Sequence, residues 1–159
     1  MTDSTNSGFP LLRYGLLHDL VGHLLRHSYN RAFAAFERAF REEGLSPLQF
    51  MIFELVQNNS GVTHSDIARA MGTAPSVVTT TMKPMLADGR IVAAKREGDG
   101  RQRVYQASAA GREWFARIRP TIADSEDELT ASLSAAERTE LLRLLRQLLG
   151  LEKEDGTPC

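Results

Sequence analysis

The residues between 63 and 89 constrain the fold of this chain most, because they predict two helices joined by a tight turn. Thr63 and Asp66 have the spacing of a capping box that starts a helix, and Gly72 stands where a left-handed C-cap would end it. Thr73 is then predicted to cap a second helix that runs to about residue 88. The predicted buried face of this second helix repeats every three to four positions and comprises Val78, Met82, Met85 and Leu86.

The hydrophobic spacing changes after the second helix, which indicates a β-hairpin. Two short strands, 91–94 and 104–106, enclose a polar connection with two glycines, as is typical of a hairpin tip. The basic residues around this tip are Lys95, Arg96, Arg101 and Arg103. Two helices followed by such a hairpin are typical of a winged helix-turn-helix, whose second helix commonly enters the major groove of DNA.

The exposed face of the second helix carries small, hydroxylated or basic side chains that suit contact with a phosphate or a thymine methyl. With the hairpin, it supplies these predicted DNA-binding residues: Ser76, Val77, Thr79, Thr80, Lys83, Lys95, Arg101 and Arg103. The net charge is only −1, so the chain is not a generally basic protein. Its basic residues are concentrated here instead, with six Lys or Arg against three acidic residues between 83 and 103.

The order of these elements, the Asp-Gly-Arg sequence at 99–101 and the Ser-Ala-Ala-Gly helix start at 108–111 resemble the MarR family of transcriptional regulators. The resemblance extends over about residues 11–151. It implies that the wing arginine, Arg101 here, contacts DNA, and that Asp99 helps to hold it in place, which adds Asp99 to the predicted DNA-binding residues.

The predicted recognition helix departs from that family in two ways. Where the family often has arginine, this chain has Pro75 and Thr80. Pro84 lies inside the helix, removes the hydrogen bond to the Thr80 carbonyl and is expected to bend the last turns. We therefore expect base recognition to depend more on hydroxyl and methyl groups than on guanidinium groups.

Helical periodicity dominates the rest of the chain, so the fold class is mainly α with a small β-wing. Residues 11–43 are predicted as one long helix, and the Ser-Pro-Leu-Gln sequence at 46–49 starts the next. A further helix is predicted over about 111–129, with a kink at Pro120. A second capping box, at 134–137, starts the last helix.

The last helix has leucines on more than one face, which predicts burial against another surface. These are Leu141, Leu142, Leu144, Leu145, Leu148, Leu149 and Leu151. The resemblance implies that the N- and C-terminal helices of two protomers interlock as a homodimer, which suits palindromic DNA sites; an intrachain bundle is the alternative. The expected organisation is a disordered arm at 1–9, an α-helical dimerisation region at 10–44 and 112–152, and a winged helix-turn-helix domain at 45–111.

The resemblance also implies an effector site between the dimerisation helices and the DNA-binding part, in many relatives for small aromatic acids. The candidate ligand-binding residues are Tyr14, His18, His23, Arg26, His27, Phe50, Phe53 and Trp114. Aromatic walls with His or Arg at one end would suit an aromatic carboxylate or its thioester. Two alternatives remain open: histidines with no ligand, or a zinc site on His23 and His27, which share a helix face. His18 points elsewhere on the helix, and no third ligand is evident.

The sequence therefore predicts a dimeric DNA-binding transcriptional regulator, a repressor released from a palindromic operator by a small ligand. A metal-responsive regulator and a winged-helix adaptor for protein contacts are the alternatives. An enzyme is not expected, since no nucleophile–base spacing, phosphate loop or metal triad is present, and no cofactor is predicted. No apolar run approaches the ~20 residues that span a bilayer, and the first residues lack signal-peptide features, so a cytoplasmic location is expected. The single cysteine, Cys159, excludes an intrachain disulfide.

Overall fold

The computed structural model describes residues 12–96 and 99–151, and the side chains at 96–102 lie outside that description. The elements in this part of the chain are a 3-10 helix (Gly15–Asp19), α1 (Val21–Ala39), α2 (Pro47–Asn58), β1 (Val62–Thr63), α3 (His64–Ala70), α4 (Pro75–Ala87), β2 (Ile91–Arg96), β3 (Asp99–Ala107), α5 (Ala109–Thr130) and α6 (Ala135–Leu149). The predicted fold class, mainly α with a small β-wing, is confirmed. The predicted arm at 1–9 lies outside the described residues.

The prediction of one continuous helix over 11–43 is wrong, because the structure divides this region into separate elements. Gly15 has a φ of 52°, and Leu20 is extended at φ −86° and ψ 113°, so a 3-10 turn is separated from α1. The helix also ends earlier, at Ala39, and the chain then turns through Gly44, whose N–H donates to the Phe40 carbonyl. The apolar periodicity continues across both breaks because it reports which side of the chain is apolar and not the backbone conformation of each residue.

The hydrophobic core lies where α2, α4 and α5 meet the small sheet. Phe53 of α2 is fully buried, with its ring 5.3 Å from that of Phe115 and 5.0 Å from that of Trp114 on α5. Phe50 stacks on Phe115 at 5.8 Å and contacts Phe36 of α1 at 5.6 Å. These aromatic contacts connect α1 and α5 to the helix-turn-helix, so the two parts of the chain share one core.

The sheet has the order β1-β3-β2, and both pairings are antiparallel. In the short β1–β3 pairing, Val62 lies opposite Tyr105 and Thr63 lies opposite Val104. The two hairpin strands are longer than predicted, and their register runs from the Ile91–Ala107 pair to the Lys95–Arg103 pair before it shifts. Residues 97–98 at the predicted hairpin tip lie outside the described part of the chain.

Three capping boxes start α2, α3 and α6, as the sequence predicts. In the box that starts α6, Ser134 Oγ accepts from the Glu137 N–H at 3.3 Å and donates to the Glu137 carboxylate at 2.7 Å. The Ser134 N–H donates to the same carboxylate at 2.8 Å. These bonds to Ser134 hold the pKa of Glu137 below its ordinary value of 4.5.

The α6 cap gives a prediction about stability and pH. Ser134→Ala should lower the free energy of unfolding by about 1 kcal/mol at pH 7. Because the folded-state pKa of Glu137 is lowered, its contribution is present above the unfolded pKa and disappears as the pH falls through the folded one. The difference between wild type and Glu137→Gln, measured by urea unfolding, should therefore shrink as the pH falls below about 4.5. A difference that is constant from pH 7 to pH 3 would contradict a role for the carboxylate.

Candidate nucleic-acid interface

The turn between α3 and α4 sets where the second helix begins. Gly72 has a φ of 58°, and the Thr73 N–H donates back to the Ala68 carbonyl at 3.1 Å, which closes α3 as a Schellman motif does. The prediction that Thr73 caps α4 is therefore wrong, because its backbone completes α3. The N-cap of α4 is Ala74, without a side-chain bond, and Pro75 occupies the first helical position, where its missing N–H costs nothing.

The buried and exposed faces of α4 are clearly separated. Val78, Met82 and Met85 are at most 1% exposed, as predicted, but Leu86 is 36% exposed, so its assignment to the buried face is wrong. Leu86 is rotated about 80° from Val78 around the axis, which takes it past the edge of the core. The predicted DNA-binding residues of this helix all lie exposed on the other side: Ser76, Val77, Thr79, Thr80 and Lys83.

Two threonine hydroxyls on the exposed face are engaged within the protein. Thr80 Oγ1 donates to the Ser76 carbonyl at 3.0 Å. Thr79 Oγ1 lies 3.1 Å from the Pro75 carbonyl oxygen and 2.9 Å from His64 Nε2. His64, the first residue of α3, was not predicted as part of the site. Its contact spans 15 positions of sequence, so only the crossing of the two helices reveals it.

The hairpin contributes exposed cations beside α4. Lys95 and Arg103 are cross-strand partners, so their side chains leave the same face of the hairpin, and both are exposed. The backbones of Asp99 and Arg101 belong to β3, and Asp99 pairs with Arg96. The side chains of Asp99 and Arg101 lie outside the described residues, as does the contact that the resemblance implies between them.

Arg90 is a basic residue of this region that is held inside the protein. Its guanidinium donates to the Asp88 carboxylate at 2.8 and 2.5 Å and lies 4.4 Å above the ring of Trp114. Burial raises the pKa of Asp88, but the hydrogen bonds and charge of Arg90 outweigh that effect and leave the pKa lowered. Arg90 therefore joins the start of β2 to α5. Within the described side chains of α4 and the hairpin, the exposed cations are Lys83, Lys95 and Arg103.

The predicted ligand-binding residues fall into three groups. His23 contacts His27 with ring centroids 4.4 Å apart and Tyr14 at 6.0 Å, and all three are half-buried. Phe50, Phe53 and Trp114 belong to the core aromatic cluster, with Phe53 fully buried, whereas His18 and Arg26 are exposed. About nine residues of α1, or about 13 Å, separate His27 from Phe36, where the core cluster begins. The structure thus does not bring the eight residues into one pocket.

A groove between α1, the end of α5 and α6 was not predicted as a cavity. It has a volume of about 450 Å³ and is lined mainly by aliphatic side chains, together with Tyr29 and Arg31. Leu141 and Leu145 of the leucine-rich helix form one wall. Several neighbouring apolar side chains stay open to solvent, among them Leu148 at 61% and Leu149 at 69% exposed.

The alternative of a zinc site has limited support. The ring contact of His23 and His27 agrees with their predicted common face. Within the described residues, however, no group of three or more His, Cys, Asp or Glu side chains could hold a metal ion.

In the same part of the chain, no helix is both long enough and apolar enough to span a membrane.

Comparison with known proteins agrees with this geometry. Residues 45–92 match the winged helix-turn-helix DNA-binding family. The chain is 28% identical over 150 residues to a putative transcriptional regulatory protein for the hcr operon of Thauera aromatica, covering 94% of this chain and 90% of that protein. It resembles the structure of the transcriptional repressor CouR bound to a 23-mer DNA duplex, with a TM-score of 0.80 and 26% identity, over 88% of this chain and 99% of that one.

Further structural likenesses concern the fold. The structure of BpsR from Bordetella bronchiseptica, described with regulation of its DNA binding by 6-hydroxynicotinic acid, superimposes with a TM-score of 0.75. The identity is 21%, and the match covers 94% of this chain and all of that one. MarR-family regulators of known structure share the same fold.

Proposed function

We propose that this chain, a winged helix-turn-helix transcriptional regulator of MarR type, is a homodimeric repressor. It binds a palindromic operator and releases it when a small aromatic acid binds. The exposed residues of α4 and the wing supply the DNA contacts. The dimerisation region comprises residues 10–44 and 112–152, and the DNA-binding domain comprises 45–111.

The observation that carries the DNA-binding proposal is the exposed outer face of α4, together with the exposed cations of the hairpin that follows it. The apolar face of α4 is fully used by the core, through Val78, Met82 and Met85, so its opposite face is the one available to a groove. Lys83 on that face and the Lys95–Arg103 pair on the hairpin provide exposed positive charge. A helix with small side chains flanked by cations fits the major groove and its phosphates.

Charge removal in the wing gives a prediction about DNA binding. Duplexes are first selected from a random library with the wild-type protein, and affinities are measured by fluorescence anisotropy over a salt series. Arg101→Ala should weaken binding at least tenfold if the arginine enters a groove. Arg103→Ala should weaken binding by a smaller factor and reduce the salt slope by about 2, as the loss of one phosphate contact in each protomer of the dimer does.

A matched control comes from a cation outside the DNA-binding surface. Arg41→Ala removes an exposed arginine from the turn between α1 and α2 and should leave the affinity and the salt slope unchanged. Wild-type affinity of folded Arg101→Ala at every salt concentration would contradict the wing assignment. Failure of the wild type to retain any duplex at low salt would favour the protein-adaptor function instead.

The effector proposal is supported by the half-buried cluster of Tyr14, His23 and His27 and by the regulation of BpsR by an aromatic acid. Aromatic side chains can stack on a ligand ring, and a histidine can bond its carboxylate. A bound ligand would favour a protomer arrangement in which the two α4 helices no longer fit successive major grooves.

Ligand binding can be measured by thermal shift. At a concentration of 100 times its Kd, an aromatic acid such as 6-hydroxynicotinic acid should stabilise the folded protein by about 2.7 kcal/mol. His23→Ala should abolish the shift, while His18→Ala, which changes an exposed histidine outside the cluster, should retain it. A shift with Zn(II) and none with the aromatic acids, their aldehydes or their thioesters would support the metal-responsive alternative.

A further inference from the structure

The exposed threonines of α4 have their hydroxyl hydrogens already bonded within the protein. A hydroxyl has one hydrogen and two acceptor lone pairs. Thr80 gives its hydrogen to the Ser76 carbonyl at 3.0 Å. Thr79 gives its hydrogen to the Pro75 carbonyl or to His64 Nε2, and for either histidine tautomer that hydrogen stays inside the protein. Neither threonine can therefore donate to a base without first breaking an internal bond.

The groups that Thr79 and Thr80 still offer to DNA are a methyl group and acceptor lone pairs. In the major groove, guanine O6 and N7, adenine N7 and thymine O4 are all acceptors and need a donor. A methyl group beside an acceptor instead matches the thymine C5-methyl and the adenine N6 amino group, which belong to the same A·T pair. Cytosine offers an amino group but no methyl. The donor–acceptor pattern of this face thus favours A·T over G·C.

A third side chain on the same part of the helix strengthens this preference. Val77 is 39% exposed and carries no polar atom, so it can only make apolar contacts with a base. Val77 and Thr80 are three positions apart and lie on neighbouring parts of one helix surface. Together with Thr79 they present methyl groups on the part of α4 nearest its N-terminus, which is the part that recognition helices direct toward base edges.

We propose that the chain selects its operator through contacts of the Thr79 and Thr80 methyl groups with thymine methyl groups, so that A·T pairs face these residues in each half-site. This proposal rests on the proposed DNA-binding function. The methyl groups carry the preference, and the threonine hydroxyls hold the side chains against the helix without a required bond to a base.

The methyl contact can be tested on the DNA. A duplex selected from a random library is resynthesised with single thymines replaced by deoxyuridine, which removes the C5-methyl and leaves every hydrogen-bonding group in place. At least one replacement per half-site should weaken binding about fourfold, as the loss of one buried methyl does. Wild-type affinity for every deoxyuridine duplex, or selected duplexes whose half-sites share no thymine position, would overturn the proposal.

The same contact can be tested on the protein with a pair of variants. Thr80→Val keeps the methyl and removes the hydroxyl, whereas Thr80→Ser keeps the hydroxyl and removes the methyl. Thr80→Val should bind the selected duplex as the wild type does and keep its sensitivity to deoxyuridine. Thr80→Ser should bind about 16-fold more weakly, because one methyl contact is lost in each of the two half-sites, and it should lose that sensitivity at the thymine that Thr80 contacts. The opposite ranking, with Val weaker than Ser, would show recognition by the hydroxyl and overturn the proposal.

Thr139 provides a matched control for the helix itself. It is an exposed threonine of α6 whose Oγ1 donates to the Ala135 carbonyl at 2.9 Å, the same four-residue bond that Thr80 makes. Thr139→Val and Thr139→Ser should leave DNA affinity unchanged. Circular dichroism is used to check that the two Thr80 variants and the two Thr139 variants are folded. If no duplex binds the wild type, the DNA-binding function itself is rejected. If a duplex binds with an affinity that does not depend on the thymine methyl groups, only the proposed mode of recognition is rejected.

Discussion

Gly111→Ala is expected to lower the free energy of unfolding by about 3 kcal/mol, which for a chain of this size corresponds to roughly 6–12 °C in Tm. A Cβ at Gly111 would lie 2.2 Å from the Arg90 carbonyl oxygen and 3.0 Å from Phe53 Cε2. Neither neighbour can move easily. The Arg90 carbonyl accepts a hydrogen bond from the Ser108 N–H at 3.0 Å, and Phe53 is fully buried in the aromatic cluster.

The close approach at Gly111 exists because α5 begins directly against the start of β2. Ser108 caps α5 by accepting from the Gly111 N–H at 2.9 Å, while its own N–H donates to Arg90. An added methyl group would therefore separate the two elements and disturb both bonds.

Gly22→Ala is the matched control for this prediction. Gly22 lies within α1, and a Cβ there would meet no described atom within 4 Å, so alanine should leave stability unchanged or raise it slightly. Both variants are compared with the wild type by calorimetry at equal protein concentration. A Tm for Gly111→Ala within 1 °C of the wild type would show that the start of α5 can shift away from Arg90, contrary to the packing argument.

Leu148→Glu is expected to convert the protein from a dimer to a monomer, because it places a charge in the proposed interface of both protomers. Leu148 is 61% exposed in the single chain, and the apolar side chains near the N-terminus are similarly open, with Leu16 at 74% and Val21 at 61%. So much exposed apolar surface on these helices supports the proposed interface between protomers. A buried, unpaired carboxylate in each protomer should weaken association at least 100-fold.

The dimer prediction is measured by sedimentation at micromolar concentration, where the wild type should have twice the 17.6 kDa mass of the chain. Leu86→Glu is the control, since Leu86 is an exposed leucine of α4 outside the proposed interface, and this variant should remain dimeric. A wild type that sediments as a monomer, or a Leu148→Glu variant that remains a dimer, would reject this interface. The monomeric variant should also bind an operator much more weakly, because it engages one half-site at a time.

The parts of the fold that the sequence predicts correctly depend on interactions over three or four residues. The capping boxes of α2, α3 and α6 join residues three positions apart, and the hairpin is signalled by alternating strands and glycines. The resemblance to MarR-type regulators depends on short motifs of the same kind. Such patterns are visible in a linear sequence because the chain itself brings the interacting groups together.

The tertiary structure decided the features that depend on residues distant in sequence. It placed Arg90 over Trp114, which removed a cation from the DNA surface, and it placed His64 against Thr79, which engages a hydroxyl on α4. It also separated the predicted ligand-binding residues into a cluster around His23, the aromatic core, and two exposed residues, His18 and Arg26. The sequence by itself determined the local elements and their order, because hydrogen bonds between near neighbours select them. The packing of those elements decided whether groups such as Arg90 and His64 remain available to a partner, since Trp114 and Thr79, which engage them, are distant in sequence.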